Sequence, residues 1–377
     1  MLQLSNAAGP ALFDDALRFA ERQLRALIER HPDFYPMYTA AGRWKHGGEA
    51  WTHWCDGFLP GMMWIVYARQ PAGSSASRWW REQAIRYSGP LEPRKLDRTV
   101  HDLGFVFLSS YYRWYGFTPD PRLKAVLIEA GRTMALRFQE KGRYLRSFVS
   151  PDSLFIDIMA NVGIIFFAAR ETGDPHLLDV ALSHCHTTRR VLVRGDGSTA
   201  HEGMFDLETG EFLKQTTQQG YRGDSCWSRG LAWAIYGFGS AFEYARDPLL
   251  LAAAEACADF YILHTPADGV PPWDYDAPSA SPPLPDTSAA AIAASGLLQV
   301  GELTVDAAKG HFYREAARQI LTTLCRDWLA VADPEWEGIL KGGIYHLHKK
   351  LGVNESVMWG EYFFLDALEK ALVTAQP

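Results

Sequence analysis

An all-α fold, a closed (α/α)6 barrel of six helical hairpins, is what this 377-residue sequence predicts. About twelve segments carry apolar residues at helical spacing. They alternate between a charged, amphipathic class and an apolar class rich in Gly, Ala and aromatic residues, as expected of an outer ring covering an inner one. No regular period or fixed repeat motif occurs, which sets a solenoid aside.

Taken in order, residues 10–30 place Leu12, Leu17, Leu24 and Ile28 on one face of an outer helix, and residues 31–51 are irregular. Residues 62–68 are apolar nearly all round and belong inside; residues 76–87 are charged again, and residues 103–117 almost uncharged. An amphipathic segment at 121–139 precedes an apolar one at 154–169 that surrounds Asp157. Asp174, as N-cap, and Pro175, in the first turn, open the next outer helix. Residues 193–223 form a long insertion with a hairpin expected around Glu208-Thr-Gly. The remaining segments, 226–244, 248–263, 287–303 after an Asp286 N-cap, 309–329 and 357–372, continue the alternation, so the whole of 1–377 reads as one domain.

Composition narrows the function. With 47% hydrophobic and 21% charged residues the chain has an ample core and is not disordered. Its 13 Trp, 16 Tyr and 20 Phe fit either a sugar site, where rings carry the CH face of a pyranose, or simply a large helical core. A net charge of -7 argues against nucleic acid as a partner but leaves room for a small anion held by local Arg or Lys. Five scattered cysteines lack metal-ligand spacing, and neither a His-Glu-x-x-His nor a phosphate-binding glycine loop nor a Gly-x-Ser-x-Gly elbow is present. No metal and no cofactor are expected. The first nine residues lack a basic, then apolar, leader, and no run approaches the ~20 apolar residues of a membrane span; a cytoplasmic protein without a membrane partner, monomeric or weakly dimeric, is expected.

In an antiparallel series every inner helix begins at the same end, so Asp102, Asp157, Trp227 and Asp286, each near an inner-helix start, should converge on one mouth. Asp102 fits either an N-cap or a site carboxylate. Asp157, flanked by Ile156 and Ile158, fits a buried general acid, with a satisfied core aspartate as the alternative. Arg229 and Trp233 lie at i and i+4, where a guanidinium fork beside an indole would take a carboxylate and a sugar ring, or would merely stack on each other. Lys349 and Lys350 could attract an anion or simply face water.

These residues also carry a resemblance to the unsaturated glucuronyl hydrolases, glycoside hydrolase family 88. It rests on Trp54-Cys-Asp-Gly-Phe-Leu-Pro-Gly, His101-Asp-Leu-Gly-Phe, Asp157 with Asn161, Asp196-Gly-Ser-Thr-Ala-His, Gln219-Gly with Ser225-Cys-Trp-Ser-Arg-Gly-Leu-Ala-Trp, Pro272-Trp-Asp-Tyr-Asp, the segment from Asp286, and Glu355-Ser-Val-Met-Trp-Gly-Glu. The resemblance implies a six-hairpin glycosidase-like barrel and a small anionic oligosaccharide substrate bearing a Δ4,5-unsaturated uronic acid at its non-reducing end. It also implies that Asp157 is the acid/base of a hydration at the C4=C5 enol ether. Asp102 would grip the sugar hydroxyls and by its charge keep Asp157 protonated, and Trp54, Phe58, His201, Thr217, Gln219, Arg229 and Trp233 would contact substrate.

Family members acting on sulfated fragments carry Ser-x-x-Ser-x-Lys near the C-terminal loop. Tyr345-His-Leu-His-Lys-Lys stands here instead, which points to an unsulfated or differently substituted oligosaccharide. The alternatives are an unsaturated rhamnogalacturonyl hydrolase, a sugar epimerase or isomerase on the same barrel, which would rely on paired histidines, and a sugar-binding protein without chemistry.

Overall fold

The structure, a computed structural model, describes residues 9–47, 52–278 and 284–373; the nine-residue reading of the N-terminus and Trp51 fall largely or wholly outside them. Six hairpins follow in chain order: α1 (Pro10–Arg30) with α2 (Phe58–Ala68), then α3 (Ser75–Ser88) with α4 (Leu103–Ser109) and its continuation α5 (Tyr111–Phe117). Next come α6 (Pro121–Ala135) with α7 (Gly163–Thr172), and α8 (Pro175–Leu192) with α9 (Ser228–Ala245). Finally α10 (Pro248–His264) pairs with α11 (Thr287–Leu303) and α12 (Ala307–Thr323) with α13 (Met358–Val373). The inner ring closes, since α2, α4, α7, α9, α11 and α13 each pack on the next and α13 returns to α2. The expected (α/α)6 barrel is therefore the fold.

Helix starts differ between the rings. Outer helices α3, α6, α8, α10 and α12 begin at Ser74, Asp120, Asp174, Asp247 and Asp306, and each of these side chains accepts a backbone N–H of the first turn. Such caps satisfy donors that the helix itself leaves unpaired. Among the inner helices, the N-cap residues of α2, α4, α7 and α9 make no side-chain cap, whereas α11 carries one, Asp286. These starts bring the positive ends of helix dipoles toward the mouth, with first-turn N–H groups meeting acceptors from elsewhere, such as Asn161 Oδ1 on Phe105 and the Trp273 carbonyl on Ser228.

Three segments depart from the sequence reading. The 103–117 helix breaks at Ser110 (φ -102, ψ -78), where the Ser109 and Ser110 hydroxyls bond back to the carbonyls of Phe105 and Val106. Such back-bonding bends a helix. The 154–169 segment becomes helical only at α7, because its start is drawn into a strand and a 3-10 turn, Ile156–Ala160. The 309–329 segment leaves α-helix at Thr323 and continues as a wide turn, Leu324–Trp328.

Short strands edge the barrel: hairpins β1 (Thr39–Ala40) with β2 (Arg43–Trp44) and β3 (Phe138–Gln139) with β4 (Tyr144–Leu145), then β5 (Ser153–Phe155), β6 (Glu202–Phe205) and β7 (Phe212–Thr216) in one antiparallel sheet, and hairpin β8 (Gly343–His346) with β9 (Leu351–Glu355). The expected turn around Glu208 joins β6 to β7, and Asp206 Oδ1 accepts both Glu208 N–H and Thr209 N–H. No helix among the described residues is long and apolar enough to cross a membrane.

Candidate active site

Main-chain contact brings the two aspartates together. The first turn of α4 lies directly on Asn161: a Cβ added at Gly104 would stand 2.3 Å from the Asn161 carbonyl oxygen and 2.4 Å from its Cα. The Asn161 side chain ties both partners, its Oδ1 accepting Phe105 N–H at 2.6 Å and its Nδ2 donating to the Asp157 carbonyl at 3.1 Å. Ile156 N–H bonds to the His201 carbonyl at 2.9 Å, so the strand before Asp157 is locked to the insertion that carries His201.

Asp102 occupies the N-cap position of α4 yet makes no capping hydrogen bond, so of its two readings the capping role is not the one realised. Its Oδ1 stands 3.3 Å from His101 Nε2. His101 Nδ1 accepts Phe148 N–H at 3.0 Å, and burial holds this imidazole well below its usual pKa. A neutral ring accepting at Nδ1 carries its proton on Nε2, so that N–H faces Asp102.

His201 repeats the arrangement on the other side. Its Nδ1 accepts the backbone N–H groups of Gln218 (3.1 Å) and Gln219 (3.3 Å), and burial lowers its pKa to about 3. The proton therefore sits on Nε2, 4.0 Å from Asp157 Oδ1. Both of these atoms are buried and neither has a hydrogen-bond partner. Two facing, unsatisfied polar atoms are a signature of a place where a ligand group or water belongs.

Burial, with the Arg229 charge opposing, pushes Asp157 up to about 7; burial and then the Asp157 charge, with Arg94 and Arg137 opposing, push Asp102 up to about 8. Desolvation dominates for both, and the Asp157 charge adds to the rise at Asp102.

Arg229 is buried between two indoles, its guanidinium 4.4 Å from the Trp227 ring centroid and 5.1 Å from that of Trp359. It donates to the carbonyls of Ile344 and Tyr345 and to Gln219 Oε1, and lies 3.6 Å from Asp286 Oδ2. The stacking partners are thus Trp227 and Trp359 rather than Trp233, and the fork is directed at protein acceptors. Since the Gln219 carbonyl oxygen is bound to Arg229, its amide N–H groups are turned the other way.

One cavity of about 240 Å³ takes in Trp54, Asp102, Asp157, Gln219, Arg229 and Trp233. Trp54 packs on Phe105 and Trp359, and Trp233 on Phe105, forming an aromatic floor. Three residues named from the sequence stand behind this wall. Phe58 stacks on Tyr362, His201 faces Asp157, and Thr217 Oγ1 bonds to His201 Nδ1 and accepts Gly220 N–H. Sequence reasoning missed His101, Phe148, Val149, Gln218, Tyr345 and His346 in the lining; only His101, adjacent to Asp102, left a visible signal. Among the described residues no group of three His, Cys, Asp or Glu side chains is placed to hold a metal ion. Two buried carboxyls with pKa values raised toward neutrality in one cavity can give and take protons near neutral pH.

The chain belongs to glycosyl hydrolase family 88: residues 28–264 match the family of that description, and the protein is a glycoside hydrolase. It is 31% identical over 366 residues to the unsaturated glucuronyl hydrolase of Bacillus sp. (strain GL1), covering 94% of each chain. To the unsaturated chondroitin disaccharide hydrolase of Streptococcus pyogenes serotype M1 it is 29% identical over 328 residues, covering 84% of this chain and 80% of that one. Its fold superposes on the crystal structure of an unsaturated glucuronyl hydrolase specific for heparin with a TM-score of 0.88 at 28% identity, covering 97% of this chain and 98% of that one.

Proposed function

We propose that this hydrolase removes a Δ4,5-unsaturated uronic acid from the non-reducing end of oligosaccharides released by polysaccharide lyases. The observation that carries the reading is the open pair, Asp157 Oδ1 and His201 Nε2, 4.0 Å apart, buried and unpartnered.

In an unsaturated uronic acid the ring oxygen is conjugated to C4=C5, so a proton delivered to C4 leaves positive charge shared by C5 and that oxygen. Asp157, pushed up to about 7, is still a proton donor near neutrality and becomes a base once it has given the proton up. Water then bonds to C5 and returns its second proton to Asp157. The resulting hemiketal opens to a ketone at C5 and frees a hydroxyl at C1, and the hemiacetal there expels the neighbouring sugar as an alcohol. The bond to that sugar thus breaks without displacement at the anomeric carbon.

Asp102 and the N–H of His101 support a grip on ring hydroxyls. The outward amide of Gln219, over the buried charge of Arg229, supports an anionic substrate. Incubation with lyase products of chondroitin, hyaluronan, heparin, gellan and ulvan tests the reading: the ultraviolet absorbance of the conjugated acid is expected to decay on at least one. Persistence on all of them would overturn it.

A further inference from the structure

We propose that Glu202 is a specificity-determining positioning residue: by fixing the side-chain amide of Gln218, it makes the rim of the cavity accept an uncharged, hydrogen-bond-donating neighbour sugar and disfavour a sulfate ester at that place. The inference rests on the function proposed above.

Glu202 lies in the middle strand of the β5–β6–β7 sheet and is buried. Its carboxylate accepts the hydroxyl of Ser153 at 2.6 Å, the hydroxyl of Thr216 at 2.6 Å and Gln218 Nε2 at 3.0 Å. Ser153 Oγ in turn accepts the Ser147 hydroxyl at 2.8 Å, and Ser147 Oγ accepts Val149 N–H at 3.2 Å. One buried carboxylate therefore ties together two segments of the cavity wall, Phe148 with Val149 and Gln218 with Gln219.

A carboxylate only accepts hydrogen bonds, so the amide nitrogen of Gln218 must face Glu202 and its carbonyl oxygen must face away. The backbone is held as well, Gln218 N–H bonding to His201 Nδ1. Consecutive residues, His201 and Glu202, thus hold both ends of Gln218. Its neighbour is oriented oppositely, because Arg229 binds the carbonyl oxygen of Gln219. Adjacent glutamines consequently present different chemistry: N–H groups from Gln219 over the buried arginine, and an acceptor oxygen from the exposed Gln218.

The aspartates, Phe105 and Trp233 are buried and Trp54 is half-buried, whereas Val149 and Gln218 are exposed. The unsaturated ring belongs deep, so the attached sugar passes over this rim. A hydroxyl or acetamido N–H finds an acceptor there. At Gln218 itself a sulfate ester brings only acceptor oxygens and negative charge toward an amide oxygen backed by a carboxylate, an arrangement that selects by exclusion at that place although the exposed Lys349 also lines the cavity.

The test compares turnover of an unsaturated glucuronyl N-acetylgalactosamine with that of its 6-sulfated form by wild type, Glu202→Gln and Gln218→Leu. Wild type is expected to favour the unsulfated substrate. In Glu202→Gln the new amide lets Gln218 invert and present N–H, and the preference shrinks by about tenfold, as for one hydrogen bond to a charged group, with the change in KM rather than kcat. Gln218→Leu leaves the buried carboxylate in place and is expected to narrow the preference too, by raising KM for the unsulfated substrate. An unaltered ratio in both variants, with wild type active, would overturn the role of Glu202 alone. No bleaching of either disaccharide or of any other lyase product by wild type would overturn the function on which it rests.

Discussion

Two histidine–aspartate pairs face the same cavity, and they differ in one dimension. In both, Nδ1 accepts backbone N–H, both rings are neutral, and Nε2–H points at a carboxyl. His101 stands 3.3 Å from Asp102, whereas His201 stands 4.0 Å from Asp157 with both facing atoms unpartnered. The same local chemistry thus yields one close pair and one open pair. A tight pair suits holding; an open pair suits reacting.

The largest expected effect tests this division directly. Asp157→Asn should fold and lose about 10³-fold in kcat, within the range of a missing general acid; turnover within tenfold of wild type would remove Asp157 from the proton transfer. Asp102→Asn should lose about tenfold, the worth of one buried hydrogen bond. If it were nearly as active as wild type, the rhamnogalacturonyl alternative would gain.

The pH profile sharpens the comparison further. As pH rises through about 7, Asp157 loses the proton it must donate and kcat/KM should fall. Asp102, at about 8, is still mostly protonated over that interval, so Asp102→Asn should leave this alkaline limb nearly where it was. A marked acidward shift in that variant would show that the Asp102 charge holds Asp157 protonated.

The smallest effect is on stability. Both carboxyls have pKa values raised in the folded state, so the native protein binds more protons than the unfolded chain between about pH 4 and 8. Their contribution is fully favourable below the unfolded pKa and is lost as pH rises through 7 to 8. Asp157→Asn should therefore raise the melting temperature at pH 8, by an amount corresponding to roughly 2–4 kcal/mol. Thermal denaturation at several pH values checks the sign: the gain should shrink as pH is lowered and vanish near pH 4.

The barrel was legible because ring membership is written into each helix, as apolar faces outside and apolar all round inside. Asp174 and Asp286 were legible as caps because their side chains act within two or three residues. The fork of Arg229 was not, since its acceptors are main-chain carbonyls 115 and 116 residues away, and a carbonyl has no residue type to read. Likewise Trp359 as its second stacking face depends on closure of α13 against the ring. Asp157 was found, but the 3-10 turn presenting it was masked by apolar neighbours that suit strand and helix alike.

The seat of α4 on Asn161 has a further consequence. Because Gly104 meets main chain there, the approach of the two elements is set by backbone and tied by the Asn161 side chain. The interval between the carboxyls is a fixed gauge, and substitutions away from Gly104 and Asn161 have little purchase on it. Diversification toward new leaving sugars is thereby channelled to the outer wall, where residues such as Val149 and Gln218 can be exchanged while the reaction geometry is inherited unchanged.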